Sequence, residues 1–297
     1  MSAELVVGVD GSTESAVALR WAVEEAGRRG LALKLVYALA IPVVSDAYGM
    51  VMTRPDVDEL AEYSQQLLAA AEQAVLAQDP TVEVSTELRD GSPAGVLLDA
   101  SRHAAGVVVG TRGLGAISGR LLGSVAVRLA AKAFSPVYVI PPEWDPVTCA
   151  GDPVVVGVDG SDHSEAALAL ALEVARRREA PVKAVIAYHV PWLARPVEPE
   201  LIEQLHESER ALCRRTVEHA LAKVRTDAAA ATTVEISVVE GKPAEALVAA
   251  GKHAMLTVVG SRGRGAISRA LLGSVSRAVM QETARPLAVV HARREAG

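Results

Sequence analysis

The chain has 297 residues, half of them hydrophobic and 3% aromatic, with a formal net charge of −6. That length suits two domains of about 150 residues, and the mild acidity argues against nucleic acid or an anionic membrane surface as the main partner. No uncharged apolar run of about 18 residues exists and no basic stretch precedes an apolar segment at the N-terminus, so no membrane span is expected and a cytoplasmic protein is.

The first apolar run, Leu5 to Val9, is short, β-branched and bounded by Asp10-Gly11-Ser12, and it reads as a buried parallel strand. Ser12 or Thr13 can cap a helix whose apolar stripe is Ala16, Leu19, Val23 and Ala26, and Gly30 ends it. Leu33 to Leu39 is the second strand, stopped by Pro42. A long Ala/Leu helix follows from Val57 to Ala77. Val82 to Leu88 alternates as the third strand. Arg89-Asp90-Gly91-Ser92-Pro93 is a turn, and Pro93 suits the first position of a helix running to about Arg102. Gly106 to Gly110 is the fourth strand. A glycine-rich loop then leads to a helix from Ser124 to about Ala133 and a last strand from Val137 to Ile140.

The second half repeats this order. VVGVDGS at 6–12 recurs at 155–161, and GTRGLGAISGRLLGSV at 110–125 recurs as GSRGRGAISRALLGSV at 260–275. Its strands are Val154–Val158, Val182–Tyr188, Val234–Val239, Met255–Val259 and Leu287–Val290. The expected architecture is α/β: two tandem open five-stranded parallel-sheet domains with helices on both faces, Rossmann-like in outline. The domains are 1–141 and 153–297, joined by a linker at 142–152 rich in Pro and turn formers. The halves differ most after strand two, at Val43 to Leu60 and Pro191 to Pro199, segments read either as lids or as variable surface. Cys149 and Cys213 occupy unmatched positions and neither belongs to a CxxC, so they read as incidental thiols.

In open parallel sheets, ligands sit beyond the carboxyl ends of the strands where the winding reverses. Two turns per half fall there: Asp10-Gly11-Ser12 with Gly110 to Ser124, and Asp159-Gly160-Ser161 with Gly260 to Ser274. Asp10 and Asp159 offer a carboxylate to a ribose hydroxyl or, through water, to a metal. Gly110 and Gly113, like Gly260 and Gly263, let backbone pass close to a ligand. Gly123-Ser124 and Gly273-Ser274 open helices whose free N–H groups and positive dipole end suit an anion. The bland alternatives are a plain turn and a cap aspartate. Recurrence of the same gap from Gly113 to Gly123 and from Gly263 to Gly273 favours the site. Neither a P-loop lysine nor the GxGxxG spacing is present. Arg112, Arg120, Arg262, Arg264 and Arg269 lie in or near the loops, as phosphate contacts or as solvated surface. No Ser-His-Asp arrangement or nucleophile elbow is visible, and His103 and His253 read as exposed helix-end residues.

G-x2-G-x9-G-[ST] after a buried strand, with a VDGS turn near the start, resembles the ATP-binding class of universal stress proteins over the whole chain, in the tandem form of actinobacterial members. The resemblance implies an adenine nucleotide alpha hydrolase-like fold. It also implies ATP, with Mg2+ accompanying the phosphates, held in each half and no dedicated protein metal site. In the first half the ligand would meet Asp10, Gly11, Gly110, Arg112, Gly113, Gly123, Ser124 and Val125. In the second it would meet Asp159, Gly160, Gly260, Arg262, Gly263, Gly273, Ser274 and Val275. Adenine would lie near Ala38 and Leu39, and near His189 and Val190.

The expected function is a nucleotide-dependent regulator of stress response or growth state, without evolved turnover. The alternatives are an α/β nucleotide enzyme, with slow ATP hydrolysis or adenylyl transfer, and a structural module whose glycine turns bind nothing. The apolar last strands suggest pairing of the two domains within one chain, further homodimerisation and an unknown protein partner.

Overall fold

The computed structural model describes residues 3–40, 57–113, 122–147, 151–190, 198–226, 231–264 and 271–292. Positions 41–56 and 191–197, which hold most of the two expected lids, and positions 120 and 269 lie outside the described residues. The chain divides into two compact units, Met1–Pro142 and Glu143–Gly297.

The first unit runs β1 (Glu4–Gly8), α1 (Thr13–Arg29), β2 (Ala32–Leu39), α2 (Val57–Gln78), β3 (Val84–Asp90), α3 (Pro93–Ala100), β4 (Gly106–Gly110), α4 (Ser124–Lys132) and β5 (Val137–Ile140). Its strands lie in the order β3-β2-β1-β4-β5, all pairs parallel. The second unit runs β6 (Val154–Gly157), α5 (Asp162–Arg177), β7 (Val182–Tyr188), α6 (Pro199–Val224), β8 (Val234–Glu240), α7 (Pro243–Gly251), β9 (Leu256–Gly260), α8 (Ser274–Glu282) and β10 (Leu287–Val290). Its order is β8-β7-β6-β9-β10, again parallel. The expected α/β, five-stranded design is therefore present twice. In each unit the winding reverses beside the first strand, between β1 and β4 and between β6 and β9.

The central strands are Val- and Leu-rich because both faces are covered. Leu5, Val7, Val107 and Val108 are fully buried, as are Val154, Val155, Val156 and Val258. Helices α1 and α2 pack together, as do α3 and α4, and the same pairing holds for α5 with α6 and α7 with α8. Right-handed crossovers in two winding directions put these pairs on opposite faces.

Helix α1 starts where Ser12 accepts the Ser15 N–H and stops at Gly30, whose φ of +62° is a left-handed cap. Its buried stripe is Ala18, Leu19, Ala22, Val23 and Ala26. Ala16, expected on that stripe, is exposed. Trp21 is also buried and meets Tyr138 of β5 with ring centroids 4.9 Å apart. The third strand begins at Val84 rather than Val82 and runs on to Asp90, because it follows β2 in register from Leu33↔Val84 to Leu39↔Asp90. Among the described residues, no helix is long and apolar enough to cross a membrane.

Candidate functional site

The two turns at the switch point face each other, and the reason lies in one aspartate. Asp10 Oδ1 accepts the Ser12 N–H at 2.9 Å and the Ser12 hydroxyl at 2.6 Å. Asp159 Oδ1 accepts the same pair from Ser161 at 2.9 and 2.6 Å. The serines are the helix caps, and the aspartates hold the serines. Gly11 and Gly160 supply the φ of +82° and +78° that the turn requires.

The second carboxylate oxygen meets the glycine loop. A Cβ on Gly113 would strike Asp10 Oδ2, and one on Gly263 would strike Asp159 Oδ2. The Arg264 N–H donates to Asp159 Oδ2 at 3.1 Å. Burial penalises the charged Asp159 carboxyl, but donation from the Ser161 hydroxyl and N–H, from Ser164 and from the Arg264 N–H outweighs it. Its pKa therefore lies below the ordinary carboxylate value.

Gly110 and Gly260 also abut the opening turn of a helix. A Cβ on Gly110 would lie 2.9 Å from Glu14 Cβ and 3.0 Å from its carbonyl carbon. A Cβ on Gly260 would lie 2.8 Å from the His163 carbonyl carbon. These glycines let the first turn of α1 or α5 ride against the end of β4 or β9.

The loop closes when the Gly123 N–H donates to Thr111 O, and the Gly273 N–H to Ser261 O, both at 2.8 Å. Gly123 and Gly273 are the N-caps of α4 and α8, and neither helix has a side-chain cap. The first-turn N–H groups at Ser124 and Val125, and at Ser274 and Val275, therefore present the positive helix end with no side-chain cap among the described residues. Ser276 Oγ donates to Gly260 O at 2.6 Å and pins α8 to β9.

In the second unit these parts enclose a cavity of about 550 Å3, within the range of small-molecule sites. Its lining includes Asp159, Gly260, Arg262, Gly263, Gly273, Ser274 and Val275 from the two turns and α8. Val185, Ile186, Ala187 and Tyr188 of β7, Leu247 of α7, and Glu209, Cys213 and Thr216 of α6 line it as well. Ala187 and Tyr188 finish β7 as Ala38 and Leu39 finish β2: Tyr188 stands beside Glu240 as Leu39 stands beside Asp90. His189 and Val190, the expected counterparts, lie past the end of β7 and outside this lining. Tyr188 is held instead, its hydroxyl 3.1 Å from His206 Nδ1.

The α6 residues had no signal in the sequence, since one polar face of a long helix looks like any other. Cys213 is buried, and burial together with Glu209 raises its thiol pKa. His163 likewise has no partner pattern in the sequence. Its Nδ1 accepts the Ala292 N–H at 2.9 Å and lies 3.2 Å from Ser261 Oγ. Burial and the Arg262 charge lower its pKa, against weaker opposing pulls from Asp162 and Asp159. His103 and His253 lie exposed in the turns after α3 and α7. Among the described residues, no group of three or more His, Cys, Asp or Glu side chains could hold a metal ion.

A sequence profile of the Universal stress protein family matches residues 1–141 and 151–291. A universal stress protein of Mycolicibacterium smegmatis is 36% identical over 296 residues, spanning 97% of each chain. One from Mycobacterium tuberculosis strain H37Rv is 34% identical over 309 residues, 96% of this chain and 94% of that one. Among solved structures, a universal stress protein from Archaeoglobus fulgidus shares the fold with a TM-score of 0.69 at 20% identity, covering 99% of this chain and 100% of the other.

Proposed function

Because the chain belongs to the universal stress protein family, we propose that it binds ATP in each unit and acts as a nucleotide-dependent regulator of stress response or growth state. The observation that carries this reading is the N-terminus of α8, without a side-chain cap among the described residues, lining a cavity of about 550 Å3 that Val185, Ile186, Ala187 and Leu247 also line. An anion belongs at the helix end and a flat apolar group against the apolar side chains.

In this reading the phosphates sit at the N–H groups of Ser274 and Val275, beside Gly273 and Gly263. Asp159 meets a ribose hydroxyl, and the adenine lies among Ile186, Ala187, Tyr188 and Leu247. The first unit carries the same parts in Asp10, Gly113, Gly123, Ser124 and Val125, with Ala38 and Leu39 toward the base. Mg2+ would enter bound to the phosphates, which supply the oxygen ligands it prefers.

The test is to purify the protein without added nucleotide, denature it, and identify what is released by chromatography and mass. ATP near two per chain supports the reading. ADP or AMP in its place shifts it toward hydrolysis. A protein that releases nothing, and that ATP fails to stabilise against heat, overturns it.

A further inference from the structure

Beside the glycine loop the two units differ in charge at several positions, among them Arg264 for Leu114 and Asp162 for Thr13, and at one that faces the loop's first arginine. In the first, Glu14 stands in the opening turn of α1 with Oε1 3.7 Å from Arg112 Nε. In the second, the equivalent place on α5 holds His163. The equivalence is spatial as well as sequential: Gly110 abuts Glu14, and Gly260 abuts His163.

His163 cannot replace the carboxylate. Its Nδ1 already accepts the Ala292 N–H, and an imidazole carries no negative charge in either protonation state. Arg262 accordingly has a buried Nε with no hydrogen-bond partner among the described residues. A buried donor on a cation, left without an acceptor, costs free energy that an incoming anion can recover. Arg262 also lines the cavity, next to Gly263 and on the side of Ser274.

We propose that Arg262 is a specificity-determining cation of the second site, matched to the ligand's own negative charge. The second unit then prefers a nucleoside triphosphate over the monophosphate more strongly than the first, where Glu14 already offsets Arg112. This rests on the nucleotide reading above.

The test moves the charge. ATP and AMP are titrated calorimetrically into chains carrying Gly113→Ala, which disturbs the first site by pushing into Asp10. His163→Glu is then added to rebuild the pair found in the first unit. It should lower ATP affinity by about tenfold, the change that 1.4 kcal/mol gives, with AMP affinity falling much less. His163→Gln, which adds no charge, should leave the ATP-to-AMP ratio unchanged. In a Gly263→Ala background, Glu14→His should raise that ratio at the first site. If ATP still binds and the ratio stays the same in His163→Glu, the proposal is wrong. Should that variant fail to fold, an unchanged ratio in Glu14→His overturns it instead. If the unsubstituted chain binds neither nucleotide, it is the nucleotide reading that fails.

Discussion

The Asp159 carboxylate and the Gly263 backbone stand so close that a single methyl group on Gly263 would strike Asp159 Oδ2. The same contact joins Asp10 to Gly113. One glycine in each unit thus sets how near the two site-forming turns can come.

Gly263→Ala should therefore push Asp159 aside or lift the loop from it. Overpacking of this kind costs about 1–3 kcal/mol. The urea midpoint should fall and the thermal shift produced by ATP should shrink, with Gly113→Ala acting likewise at the first unit. An unchanged midpoint together with an unchanged ATP shift would contradict the contact.

Asp159 ties its turn together most strongly when ionised. Its folded pKa is depressed below the ordinary 3.8, so its contribution is present above that value and is lost as pH falls through the lower, folded one. Urea unfolding from about pH 5 downward should show this loss. Asp159→Asn should be less stable at neutral pH and flatter on the acid side. Parallel curves for the two proteins would refute the assignment.

His163 behaves in the same sense one step higher on the pH scale. Its folded pKa lies below the ordinary 6.5, through burial first and the Arg262 charge second. Keeping the ring neutral favours the fold above 6.5, and that advantage is lost as pH falls through the folded value. His163→Gln should remove this step from the stability profile between neutral and mildly acidic pH. NMR titration of the ring, giving a pKa at or above the ordinary value, would disprove it.

Trp21 and Tyr138 tie α1 to the last strand of the first unit, with Arg29 donating to the Tyr138 hydroxyl at 3.3 Å. The core otherwise holds few large rings to close a gap left there. Trp21→Ala should cost about 3–5 kcal/mol, read as an earlier unfolding transition. Trp21→Phe should recover a large part of it. Equal stability of the alanine variant and the parent would show that the stack contributes nothing.

Much of the site was legible from residue type and local order. The VDGS turns follow β-branched runs, and the glycine loops open helices, so the carboxyl-end location of Asp10, Asp159, Gly123 and Gly273 needed only chain connectivity. The base end depends on strand register, which local order does not display: the repeat offset changes by one residue between the opening turns and the glycine loops. Strand register put Tyr188, rather than His189, opposite Glu240.

Residue order alone carries the local and periodic part: two copies of one domain, the order and type of the elements, the parallel sheets and the caps. These depend on neighbours a few residues away and on patterns of burial, which the chain displays directly. Folding across the sheet settles what each glycine makes room for, that α6 walls the second cavity with Glu209, Cys213 and Thr216, and that Arg262 Nε has no hydrogen-bond partner among the described residues where Arg112 has Glu14. Those are relations between side chains about a hundred residues apart on the chain, from His163 to Ser261 for instance, and packing across the sheet, not composition or spacing, brings them together.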